Sequence, residues 1–410
     1  MKRARHRRIA ALATICSMAF SFSAFGQTLL HTKGREIVDA QGRSVALRGF
    51  NLGGAFIMEP YMSPMDRIHR IRDTYTVQQT LERRFGRATA NQLMAVYQTN
   101  WTSDQDIARI AAAGYNVVRI PFWWGQFLDI DNPTPSGWRE DGFVALDRLV
   151  EACRRNGIYA ILDMHGVIGG QSDNPYSGQE NQNRFWKSRT DQAKTVWLWR
   201  KIAAHYRNNP TVAGYDLLNE PAPPAKTGLR KILWPIYRRF YHNIRSVDPD
   251  HIIFVEDTFG TWSLDMLPPP KRFGWRNVVY ESHFYAWPER HPGMSQATAV
   301  KNITERNVAD FERHAVWNVP GYIGEFNALS TDPHIWRDLI GRLDRAHLSW
   351  TIWSYKSATG LVPDAWGYLD PSFWPERPDP ATDTAETIQH DWEGWNSQNG
   401  FKRNPTMDIP

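Results

Sequence analysis

Two carboxylates stand at the ends of two apolar runs. Tyr215-Asp216-Leu217-Leu218-Asn219-Glu220-Pro221 carries an amide and a carboxylate just before a proline, and Gly321-Tyr322-Ile323-Gly324-Glu325-Phe326 carries the second carboxylate. Each run reads as a buried strand, and proline stops the first, which puts Asn219 and Glu220 at its C-terminal end. A carboxyl pair held in one cleft suits hydrolysis of a glycosidic bond, because one group can protonate the leaving oxygen while the other attacks the sugar. Further polar residues sit at the ends of other runs: Arg119 in Val117-Val118-Arg119-Ile120-Pro121, His165 in Asp163-Met164-His165-Gly166, His283 and Tyr285 in Ser282-His283-Phe284-Tyr285, and Trp353. A lone Asn-Glu-Pro match arises by chance in about 1 in 20 chains of this length, so the reading rests on the whole set.

Something must bring these run ends to one place. Eight strand-like runs occur at 45–55, 115–122, 159–166, 212–221, 251–257, 277–285, 319–327 and 349–356. Helix-like stretches separate most of them, at 104–113, 143–155, 190–207, 229–247, 299–314 and 335–346. Eight β units alternating with helices predict a closed (β/α)8 TIM barrel, in which catalytic side chains collect at the C-terminal ends of the strands. Turn signals at Lys33-Gly34 and Gln41-Gly42 predict a hairpin within 29–44, placed to plug the bottom of the barrel. The tail after Leu369, with Pro371, Trp374, Pro375, Pro378 and Pro380, reads as a loop followed by a short helix near 386–395. No repeat or linker composition divides residues 27–410, which are expected to form one catalytic domain with extended loops.

The first 26 residues read as a secretory signal peptide. Lys2, Arg3, Arg5, Arg7 and Arg8 precede an apolar stretch at 9–22, and Ala24-Phe25-Gly26 supplies small residues for cleavage. The apolar stretch is shorter than the ~20 residues a membrane span needs. That leader holds five of the 48 Lys and Arg and none of the 43 Asp and Glu, so the rest of the chain balances at 43 of each. The basic pI therefore belongs to the leader, and a nucleic-acid partner loses its support. Cys153 stands alone once Cys16 has left with the leader, so no intrachain disulfide is expected. Nineteen Trp, fifteen Tyr and nineteen Phe serve a core and can also supply flat platforms for sugar C–H faces.

From Leu29 to about Lys356 the chain resembles glycoside hydrolase family 5, the cellulase-type (β/α)8 family. Arg48-Gly49-Phe50-Asn51-Leu52-Gly53-Gly54, with Glu59-Pro60 after it, and Asp163 through Gln171 are similar to its exo-β-1,3-glucanase branch. The resemblance implies that Glu220 is the acid/base, Glu325 the nucleophile and Asn219 the ligand of the sugar 2-hydroxyl. It further implies that Arg119, His165, His283, Tyr285 and Trp353 complete the pocket, and that Glu59 holds a hydroxyl of the non-reducing-end sugar. On physical grounds Glu325 needs Arg119 and the Tyr285 hydroxyl to keep it ionised, whereas Glu220 needs a less polar setting and a nearby anion to keep its proton.

Blander roles compete. Arg119 could simply bridge strands in a buried ion pair, His165 could be structural, and Trp353 could be plain core. Trp123, Trp124, Tyr176, Trp186, Trp287 and Trp366 are candidates for sugar platforms, at least half of them expected to be packing. Lys356 either reaches into the cleft or extends to solvent. The reading is an exported, periplasmic or extracellular, monomeric retaining β-glycosidase acting on β-glucan or β-glucosides, with neither metal nor organic cofactor. Its rivals are an endo-β-1,4-glucanase with an open cleft and a non-catalytic carbohydrate-binding barrel. A metal hydrolase is disfavoured because the histidines lack a spacing such as His-Glu-x-x-His.

Overall fold

The computed structural model describes residues 27–65, 71–225, 227–358, 366–371 and 375–407; the leader lies outside the described residues, as do Thr359-Gly360 and Trp374. The chain opens with a hairpin of β1 (His31–Lys33) and β2 (Glu36–Val38), turned at Gly34, whose φ of 62° suits glycine. Eight parallel strands then close a barrel in chain order: β3 (Arg48–Asn51), β4 (Val117–Trp123), β5 (Tyr159–Gly166), β6 (Val212–Asp216), β7 (Ile252–Glu256), β8 (Val278–Tyr285), β9 (Gly321–Asn327) and β10 (Ser349–Ile352), with β10 pairing β3. All eight expected runs contribute a strand. The hairpin does plug the bottom: Leu30 and Ile37 pack with Leu47, Val117, Ile161, Ala213, Ile252 and Tyr322 in one buried cluster.

Several strands are shorter than their apolar runs, and in β6 and β10 this moves a site residue off the strand. β6 ends at Asp216, five residues before Pro221, and the chain continues past it with single bonds such as Asn219 N–H to the Met164 carbonyl at 3.2 Å. Pro221 therefore does not stop the strand, whose pairing with β5 and β7 already ends at Asp216. β10 ends at Ile352, so Trp353 lies on the loop beyond it.

The helices α1 (Thr74–Phe85), α2 (Arg87–Trp101), α3 (Asp104–Ala112), α4 (Val144–Asn156), α5 (Arg189–Tyr206), α6 (Leu229–Arg245), α7 (Pro270–Phe273), α8 (Gln296–Arg313), α9 (Pro333–Arg345) and α10 (Ala385–Gly394) include seven near their expected bounds, the tail helix among them. α3 starts at a Ser103/Asp106 capping box, and α4 stops at Gly157, whose φ is 67°. α1 and α2 were not legible as elements. They bridge β3 to α3, and α2 packs against the tail helix α10 through Tyr97 on Trp392, with Trp101 on Trp395 just beyond its end. A last antiparallel pair, β11 (Leu369–Pro371) with β12 (Phe401–Arg403), ties the tail to the barrel top. No helix among the described residues is long and apolar enough to cross a membrane.

An irregularity between β8 and β9 aims one side chain at the top of the barrel. The register slips there, so that Ser282 faces Ile323 but His283 faces Glu325, passing over Gly324. Only glycine fits at the slip: a Cβ on Gly324 would lie 1.6 Å from Glu281 Oε1 and 2.7 Å from His283 Nε2. The slip rotates Glu325 into line with His283.

Candidate active site

A cavity of about 330 Å3 opens at the C-terminal face of the barrel. One wall carries Glu59, Tyr61, Trp353 and Trp366; another carries Asn174, Pro175, Tyr176, Phe259 and Trp262; Tyr285 ends β8, and Trp287 and Arg290 come from the loop after it. Glu220, Glu325 and His165 lie among them. Glu220 and Glu325 are 5% and 4% exposed, so both are nearly dry yet reachable. One carboxylate oxygen of each lies within 4.8 Å of the other and of a His283 ring nitrogen.

The two carboxyls have unequal surroundings. Glu325 Oε1 accepts from Arg119 Nη1 at 2.8 Å, and Oε2 accepts from the Tyr285 hydroxyl at 2.8 Å. Burial raises its pKa, while Arg119 and Tyr285 pull the other way. Glu220 has no such donor pair. Among the described residues its Oε1 meets only His283 Nδ1, at 3.3 Å, and burial, with Glu325 and Glu59 as neighbouring anions, pushes its pKa well above the usual range. The geometry thus keeps Glu325 as the more readily ionised member and Glu220 as the one that retains a proton.

Arg119, Asn219 and His283 do not line the cavity; they form its foundation. Arg119 is fully buried and combines both roles that its sequence position allowed. It bridges strands, with Nε donating to Asp216 at 2.8 Å, Nη1 to Asn51 at 3.0 Å and Nη2 to Asn219 at 2.9 Å, and it also holds Glu325. Burial alone would weaken its charge, but Asp163, Asp216, Glu281 and Glu325 more than reverse that. Because Asn219 Oδ1 accepts from Arg119, its NH2 is the group left to donate elsewhere.

His165 Nδ1 lies 2.6 Å from Asp163 Oδ2, and the ring stacks on Trp353 at 5.5 Å and 12°. Burial drops His165 to about 3, so this contact is a hydrogen bond of a neutral ring rather than an ion pair. With Nδ1 engaged by Asp163, Nε2 is the ring nitrogen left for another partner. His283 is also held neutral, by burial and by Arg119. Trp353 presents its ring to the cavity and anchors its Nε1 on the Tyr61 hydroxyl at 2.6 Å. Glu59 lines the cavity, and burial beside Glu325 pushes it up to about 8.

Sequence reasoning missed a layer of acids beneath the site. Asp163, Asp216, Glu256 and Glu281 sit on four consecutive strands, the first and last in mid-strand and the other two at strand ends, all fully buried. Asp163 pairs in register with Asp216, and Glu256 with Glu281. Burial raises Asp163 and Asp216 to about 7, and Glu256 and Glu281 well above the usual range. Arg119 cannot neutralise them all, so several hold protons. Their signal in the sequence was a carboxylate inside an otherwise apolar run, repeated on β5 to β8, because a buried acid needs a reason to be there.

The six aromatic candidates divide evenly between cavity and packing, as expected. Trp123, Trp124 and Trp186 are buried and do not line the cavity, whereas Tyr176, Trp287 and Trp366 do. Lys356 neither enters the cleft nor reaches solvent. It is 1% exposed, and its Nζ donates to the carbonyls of Trp101 and Trp395 and to Ser397 Oγ, over the rings of Trp101 and Phe401. Its backbone forms a parallel bridge with Leu369, and its side chain runs toward α2 and the tail. Among the described residues two three-ligand groupings occur, Glu220–His283–Glu325 and Glu256–Glu281–His283, and they share His283.

Residues 82–359 match the family model for cellulase, glycosyl hydrolase family 5. A β-xylosidase of Phanerodontia chrysosporium is 31% identical over 350 residues, 80% of this chain and 70% of that protein. A glucan 1,3-β-glucosidase of Candida oleophila is 29% identical over 325 residues, covering 72% and 70%. Among solved structures, a rutinosidase from Aspergillus niger superposes with a TM-score of 0.63 at 16% identity, covering 85% of this chain and 98% of that one, which establishes likeness of fold.

Proposed function

The chain belongs to the cellulase family, glycosyl hydrolase family 5, and on that premise we propose that this O-glycosyl hydrolase is a retaining exo-acting β-glycosidase of β-1,3-glucan and related β-glucosides. The approach of the two carboxylates carries the retaining assignment. Oxygens within 4.8 Å leave no room for a water between a base and the anomeric carbon, which inverting enzymes need at carboxyl separations of about 6.5–9.5 Å.

In this reading ionised Glu325 attacks the anomeric carbon while Glu220 gives its proton to the departing oxygen. Glu220, now a carboxylate, then takes a proton from water, which displaces Glu325 and releases the sugar with its original configuration. Arg119 and Tyr285 supply the charge stabilisation of the nucleophile. The Asn219 NH2 serves the 2-hydroxyl, His165 and Glu59 serve other hydroxyls, His283 sets the Glu220 carboxyl, and Trp353 forms the floor. The glucan 1,3-β-glucosidases among the relatives support glucose and exo-action, as does the wall of Glu59 and Tyr61. The Trp123-Trp124 segment gives no such support, since it is buried. The leader at 1–26 fits an exported monomer with residues 27–410 as its catalytic domain.

Digestion of β-1,3-, β-1,4- and β-1,6-glucans, aryl β-glucosides and an aryl β-xyloside, followed by proton NMR, tests this. The expected result is β-glucose as first product from β-1,3-glucan. A first product of α configuration would refute retention; oligosaccharides released from internal β-1,4 bonds would favour the endo rival.

A further inference from the structure

Glu220 sits on a backbone that resists it. Its φ is 41°, in the left-handed region, although it is neither glycine nor asparagine, and it precedes a proline that disfavours helical dihedrals at its neighbour. Such a conformation persists only when surrounding contacts hold it. The principal contact is on the amide: Glu220 N–H donates to Oε2 of Glu256 at 2.7 Å. The Glu220 carbonyl, by comparison, receives only a 3.4 Å bond from the Tyr176 hydroxyl.

Glu256 is itself firmly placed. It ends β7 with no exposed surface, and its backbone carbonyl accepts from the Tyr237 hydroxyl of α6 at 2.7 Å. Its other carboxyl oxygen, Oε1, makes no hydrogen bond but lies 3.3 Å from His283 Nδ1, the nitrogen that also stands 3.3 Å from Glu220 Oε1. Glu256 therefore addresses both ends of one residue, its amide directly and its carboxyl across a shared imidazole. The acids and bases that face it are Glu220, Glu281, Asp216, Arg119 and His283.

We propose that Glu256 is the positioning residue for the acid/base, fixing the strained Glu220 backbone so that its carboxyl points at the leaving oxygen. The proposal rests on the reading of Glu220 as the acid/base. A displaced acid is felt in proportion to how much the leaving group needs a proton. Bond cleavage in a dinitrophenyl β-glucoside hardly needs one, whereas a disaccharide does.

The test compares kcat/KM, which reports the first chemical step, for these two substrates in Glu256→Leu, Glu256→Asp and Glu256→Gln, with Glu220→Ala as reference. Leu removes the acceptor, and Asp withdraws it by one methylene while keeping a buried polar group should Leu fail to fold. Gln keeps an acceptor oxygen at the same reach. Glu256→Leu or Glu256→Asp is expected to lose on the order of 10²-fold on the disaccharide and less than about threefold on the aryl substrate, with Glu256→Gln close to the parent on both. An equal loss on both substrates, or Gln as impaired as Leu, would overturn the proposal. If Glu220→Ala itself shows no dependence on leaving group, the acid/base reading fails and the proposal falls with it; a split in Glu220→Ala alone removes only the role of Glu256.

Discussion

Replacing Tyr285 with phenylalanine isolates one of the two bonds that keep Glu325 charged. The hydroxyl donates to Glu325 Oε2 at 2.8 Å, and Arg119 holds the other oxygen at the same distance. The ring stays in place against Trp287 and Trp366, at 5.5 and 6.0 Å, so Tyr285→Phe removes an oxygen without emptying the wall. A hydrogen bond to a charged group contributes about 1.5–3 kcal/mol. At about 1.36 kcal/mol per decade this predicts a loss of roughly 10- to 150-fold in kcat/KM at neutral pH. The same energy favours protonated Glu325 in the variant. The acid limb of the pH–rate profile, which follows ionisation of the nucleophile, therefore moves up by about one to two pH units. Kinetics with an aryl β-glucoside between pH 4 and pH 8 would measure both effects. Activity within twofold of the parent, with the acid limb unmoved, would refute the view that Tyr285 stabilises an ionised Glu325.

Lys356→Ala strips donors from the buried carbonyls of Trp101 and Trp395 and unlinks β10, α2 and the tail. It should cost about 3–5 kcal/mol in denaturant unfolding yet leave kcat/KM of the folded protein within threefold; a selective kinetic defect would restore Lys356 to the cleft. Stability should also depend on pH in a direction that the acid layer sets. Glu59, at about 8, and Asp163, at about 7, keep protons in the fold that the unfolded chain gives up near pH 4. Where the native state binds more protons, stability falls as pH rises, here from about pH 4, where the unfolded carboxyls ionise, to about pH 8. Glu59→Gln should flatten that fall in melting temperature, and an unchanged slope would show that Glu59 is ionised throughout.

The architecture was legible because a parallel barrel writes itself plainly in one dimension. Buried strands give apolar runs, surface helices give periodic ones, and their alternation leaves few alternatives. Site residues stood out where a polar side chain interrupted or ended such a run, as with Arg119 beneath the cleft and His165, Glu220 and Glu325 within it. α1 and α2 escaped because they lie inside a connection rather than between two runs. Lys356 was misplaced because a lysine beside the last strand gives no hint of which way a loop turns.

The sequence by itself determined which side chains could do chemistry and on which strands they stand. Their inequality came only with the tertiary structure. Glu220 and Glu325 are the same amino acid at the ends of similar runs. One differs from the other because Arg119 and Tyr285 reach Glu325, while Glu220 meets only a neutral histidine and other acids. Those partners are distant in sequence, and the charge state of a buried carboxyl depends on what lies within a few ångströms through space and on how completely water is excluded.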